Sequence, residues 1–188
     1  FIKGANAIDL NGNAGVFVAN PSGGTVGWAY GLLMAKGSHL IVPCSLAKLV
    51  PSVQKAASAV GQKTLYYCQG IKIGMVPIMN AKIITEIDAF RILFDLDAVY
   101  IGAGGQSGSE GSVVLAAEGS KKALDRAIAL IESIKGEPPL SPKKSLCNNC
   151  VPTIPSVRDL SIDKNIVHCM YQGKEEEELT WIVRKKRG

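Results

Sequence analysis

The chain has 188 residues, 47% of them apolar, enough to bury a sizeable core and too many for a disordered polypeptide. Its 21 Lys and Arg outnumber 16 acidic residues, but part of that excess lies in the terminal RKKRG and not on a basic face with interleaved aromatics, so no nucleic-acid partner is expected. Apolar runs such as LIVPC are only strand-length, so neither a membrane span nor a secretory segment is expected, and a cytoplasmic protein is the default reading.

From the N-terminus, KGANAIDLNGNAG sets Lys3, Asn6, Asp9, Asn11 and Asn13 among glycines just ahead of AGVFVA, which reads as a strand. Two readings stand: an Asn-Gly hairpin turn, or a strand-end turn lining the ligand crevice of an open α/β sheet. NPSGG then leads into TVGWAYGLLMAKG, a helix expected over 25–36 and ended by Gly37 as its C-cap. Trp28 and Tyr30 on that helix serve either a core or a homodimer.

SHLIVPC reads as a second strand, and LAKLVPSVQKAASAVG as a helical stretch that Pro51 starts. Beyond KTLYYCQG the rhythm changes. KIIT, EIDAFRILFD, DAVYIGAG, GSVVLAAEG and SKKALDRAIALIESIKG spell βαββα, most of a split βαβ or ferredoxin-like unit, a topology that implies no cluster. The expected architecture is α/β: a Rossmann-like part over 1–75, a ferredoxin-like subdomain over 76–140, and an irregular Pro- and Cys-rich segment over 141–188.

IGAGGQSGSEGSVV precedes a strand and not a helix, so the dinucleotide and P-loop mechanisms, which need a helix N-terminus, do not apply. A hairpin loop is the simple account. The alternative is a lid closing backbone amides, Ser107 and Ser109 over an anion, with Glu110 as its acid–base group.

In the C-terminal segment, Cys147 and Cys150 form C-N-N-C, followed by His168 and Cys169. These are the ligand types of a Cys3His zinc site, with an iron–sulfur cluster and a plain loop pair of thiols left open. Cys44 and Cys68 are expected to be buried as small apolar residues, Cys44 placed to face a crevice.

The order K-G-A-N-A-I-D, then Gly23-Gly24 before a helix, then HLIVPC and S-L-A-K ending at Lys48, resembles the superfamily of ribose-5-phosphate isomerase, glucosamine-6-phosphate deaminase and the CoA-transferases. The resemblance implies that Gly4, Ala5, Gly23, Gly24 and Lys48 shape a sugar-phosphate pocket. Lys3, Asn6 and Ala7 stand where that family's acids belong, so the carboxylate base that aldose–ketose isomerisation needs is missing from the motif. Asp9, or Glu86 in IITEID, would have to replace it. The family's phosphate loop would lie upstream of residue 1, so the chain is expected to belong to a longer protein.

The expected function is binding of a small anionic metabolite, a sugar phosphate or acyl compound, in a crevice lined by Lys3, Gly4, Asn6, Asn13, Gly23, Gly24, Thr25 and Lys48. An isomerase- or transferase-like reaction would fall to Asp9 or Glu86. The alternatives are a non-enzymatic sensor or assembly module, and a metalloprotein working through its C-terminal cysteines.

Overall fold

Short apolar runs separated by Gly- and Asn-marked turns give short strands, and a computed structural model, which describes residues 1–136, arranges them with helices in a mixed α/β fold. The elements are β1 (Ala7–Ile8), β2 (Ala14–Val18), α1 (Gly24–Lys36), β3 (Ile41–Pro43), a 3-10 turn (Leu46–Lys48), α2 (Val53–Ser58), β4 (Gly74–Ile78), β5 (Lys82–Ile84), α3 (Glu86–Phe94), β6 (Asp97–Gly104), β7 (Ser112–Glu118) and α4 (Lys121–Ile134). The expected elements are present in the expected order, with two added strands, β1 and β4, and with the helical stretch expected after Ser45 divided into the 3-10 turn and α2. The strand β4 is not evident from sequence because Pro77 interrupts it. Pro77 is tolerated because β4 lies at the edge of the antiparallel sheet β1-β2-β4, where a missing N–H need not break an inner ladder.

The second sheet pairs β3 with β5 in parallel, although β5 belongs by sequence to the later βαββα rhythm. Ile2 bridges Ile41 in the same sense, so segment 1–3, β3 and β5 run side by side in one direction. Their carboxyl ends open onto Ala5, Cys44 and Thr85. The third sheet is the β6-β7 hairpin. Both its strands alternate exposed and half-buried residues, the period-2 pattern of a sheet covered on one face.

One cluster forms the main core: Ala5, Ile8, Ala14, Val16, Val26, Leu40, Val42, Cys44, Leu46 and Ile78. Tyr100, Val113 and Leu115 from the hairpin pack against it, which joins the early and late parts of the chain. On the other side α3 meets α4, with Phe90 and Phe94 edge to face and the Arg126 guanidinium 5.6 Å over the Phe94 ring. Helix α1 is apolar nearly all round. It buries Val26 against the core and leaves Trp28 77% exposed. Among the described residues no helix is long and apolar enough to cross a membrane.

Candidate functional site

The Gly-Gly pair decides how α1 begins. Gly23, the N-cap, has φ 89°, and Gly24 follows at φ 60°, both in the left-handed region. A Cβ on Gly23 would also come within 3.1 Å of the Gly27 Cα. A side chain there is therefore disfavoured on two counts, and among the described residues α1 starts with no side-chain cap and no acidic residue in its first turn. Among the described residues no side chain caps its leading backbone N–H groups, which with the positive end of its dipole favour a negatively charged partner.

Those amides border a cleft of about 210 Å3 lined by Lys3, Val16, Phe17, Val18, Ala19, Asn20, Gly23, Gly24, Thr25 and Val26. Lys3 is half-buried at its edge. Its Nζ donates to the Gly4 carbonyl at 3.2 Å, and it forms no ion pair among the described residues. Four residues singled out by sequence, Lys3, Gly23, Gly24 and Thr25, thus meet in one place. The arrangement combines a cation, bare amides and a cavity sized for a small head group.

The other expected site residues lie elsewhere. The Asn6 side chain accepts a hydrogen bond from the Phe17 amide, pinning the chain beside β2. Asn13 donates through Nδ2 to both Asp9 carboxylate oxygens. Asp9 is 6% exposed and also accepts from the amides of Asn11, Asn13 and Val53. Burial pushes its carboxyl pKa up, but the hydrogen bonds from Val53, Asn13 and Asn11 outweigh that and hold it below the ordinary aspartate value. Asp9, expected as a general-base candidate, has both carboxylate oxygens engaged by donors that favour its charged form. These bonds tie the β1-β2 turn to the start of α2, and the opening stretch is a hairpin turn.

Lys48 and Glu86 meet at a second place, the carboxyl edge of the parallel segments. Lys48 Nζ donates to the Ala5 carbonyl at 2.8 Å, and Glu86 Oε2 accepts from the Leu46 amide at 2.9 Å. The Cys44 thiol, 6% exposed, lies close enough to feel both charges, with its Sγ 3.8 Å from the same Ala5 oxygen. Burial raises its pKa; the Lys48 ammonium works against this and the Glu86 carboxylate adds to it. Cys44 is the buried apolar residue expected, whereas Cys68 is half-exposed. This cluster was legible only in part, because sequence spacing does not show that residue 86 returns to residues 44–48.

The Gly-rich segment is the hairpin loop between β6 and β7 and is held by its own bonds. The Gln106 amide donates to Ser109 Oγ, and the Gly108 amide to Glu110 Oε2. Glu110 is thus occupied within the loop. Cys147, Cys150, His168 and Cys169 lie outside the described residues. Within residues 1–136 no group of three or more His, Cys, Asp or Glu is placed to hold a metal. Comparison with protein-family models, curated proteins and solved structures found no match.

Proposed function

We propose that the protein binds a small anionic metabolite, a sugar phosphate or acyl compound, with its anionic group against the first turn of α1. The observation that carries this reading is that Lys3 and the uncapped amides after Gly23 border the same cleft. Backbone N–H groups and a helix dipole favour an anion without an opposing carboxylate, and the side-chain-free turn lets it approach closely. The Rossmann-like and ferredoxin-like arrangement, and membership of the sugar-phosphate isomerase and CoA-transferase superfamily, belong to the same proposal. Their support is the parallel β3-β5 pair with a polar carboxyl edge, and the β6-β7 hairpin that accompanies α3 and α4.

The Asp9 clamp leaves Glu86 as the acid–base candidate, so the enzymatic version of the reading rests on Glu86 and Lys48. Zinc or iron–sulfur binding by Cys147, Cys150, His168 and Cys169 is a separate proposal resting on their spacing and ligand types.

Thr25→Asp tests the anion site. A carboxylate in the first turn complements the helix dipole, so folding stability is maintained or raised while an incoming anion is repelled. Calorimetric titration with ribose 5-phosphate is expected to show binding to the wild type and at least tenfold weaker binding to T25D, with Lys3→Gln intermediate. Equal affinity in all three would refute the reading.

A further inference from the structure

The outer face of the β6-β7 hairpin is apolar where a solvated face would be polar. Val99 and Ile101 are each 62% exposed and Val114 is 38% exposed, with Ala116 exposed opposite Val99. Ile101 falls at the register shift next to the Gly102–Val114 pair, so the four side chains form one row. Both strands accordingly read as continuous apolar runs, AVYI and VVLAA, the pattern of strands covered on both faces. Among the described residues Tyr100, Val113 and Leu115 pack against the main core, and the outer row stays open. An open apolar row of this kind marks a contact surface.

The row ends in charge. Asp97 and Glu118 stand directly opposite each other in the ladder, both exposed, and neither forms an ion pair among the described residues. Two carboxylates opposed across a strand pair repel each other, which a nearby cation would relieve. The complement of this face is therefore a segment in which apolar residues are followed by cations.

Residues 181–187 of this chain, WIVRKKR, have that order. A second copy of the hairpin would bring the same apolar row and the same two carboxylates, with no Lys or Arg in either strand to offset them. Chain length permits the return. An extended chain covers roughly 3.3 Å per residue, so the stretch 137–180 is long enough to lead from the end of α4 to any point on the hairpin.

We propose that residues 181–187 dock on the outer face of the β6-β7 hairpin, the apolar residues 181–183 over Val99, Ile101 and Val114 and the cations of 184–187 at Asp97 and Glu118. This contact does not depend on the anion reading of the α1 cleft.

Trp181 reports on it. The chain has two tryptophans, and Trp28 is 77% exposed on α1, so Trp28→Phe keeps the fold and leaves Trp181 as the only indole. In the full Trp28→Phe chain, Trp181 emission is expected to be blue-shifted and weakly quenched by acrylamide. Two further changes are made in that background, Ile101→Lys and the Asp97→Lys/Glu118→Lys pair, all at exposed positions. Each is expected to move the emission to the red and to raise quenching towards that of the urea-unfolded chain, with far-UV circular dichroism verifying that the variants stay folded. Solvent-exposed Trp181 emission in the Trp28→Phe chain would overturn the proposal. Shielded emission that neither variant alters would also overturn it, because Trp181 would then lie against another surface. Shielding lost on dilution, together with a dimer-to-monomer change in sedimentation, would place the contact between copies and overturn docking within one chain.

Discussion

At the residue scale, Asp9 carries more of the fold than any other polar side chain described. Its two oxygens gather donors from Asn11, Asn13 and Val53, so the turn, its asparagine and the start of α2 all depend on a negative charge in a nearly dry place. Because the folded-state pKa is lowered, its stabilising contribution is present above the unfolded aspartate pKa, near 4, and is lost as pH falls through the folded value. Asp9→Asn is expected to lower stability at pH 7 by about 2 kcal/mol, the order of a hydrogen bond to a charged group, and to flatten the acid limb of the stability–pH curve. Urea unfolding at pH 7 and pH 3 measures both. Cys44 offers a second residue-scale prediction. Its raised pKa and burial should make its alkylation by iodoacetamide slow at pH 7 and faster only at alkaline pH, whereas the half-exposed Cys68 reacts readily. Mass mapping of the labelled peptides separates the two.

At the element scale the sequence was informative wherever a local signal sufficed. Gly37 ends α1 with φ 63° as a left-handed C-cap, and the alternation in DAVYIGAG and GSVVLAAE marks two strands facing the core on one side. Pro77 hid β4, because the sequence does not show that its strand lies at a sheet edge. The Gly-Gly turn was legible as a helix opening, but its positive φ angles and its close approach to Gly27 were not. Gly23→Ala is expected to destabilise by roughly 1–2 kcal/mol, since alanine must then hold a left-handed φ and push against the Gly27 backbone. Thermal denaturation of G23A alongside Gly37→Ala, which has open space around its Cβ, would separate the steric contribution from the conformational one.

At the scale of the whole molecule, the expected crevice residues divide among three places. Lys3, Gly23, Gly24 and Thr25 border the α1 cleft, Lys48 and Glu86 sit at the carboxyl edge of the parallel segments, and Asp9 with Asn13 closes a hairpin turn. Residue types and order pointed to polar sites but could not partition them, because partition depends on which strands pair. The return of β5 to β3 is a long-range contact with no local signature. The C-terminal cysteines bear on composition as well. Elemental analysis of anaerobically purified full chain is expected to find one zinc, or iron with a visible absorption band, lost in the Cys147→Ser/Cys150→Ser variant. Metal at background would refute a metal site there.

The most direct measurement is a backbone amide NMR titration of the full chain with inorganic phosphate. The anion reading predicts saturable shifts centred on Gly24, Thr25 and Val26 and absent in Thr25→Asp. Saturable shifts centred instead on Cys44 to Lys48, or no saturable shift at the start of α1, would contradict it.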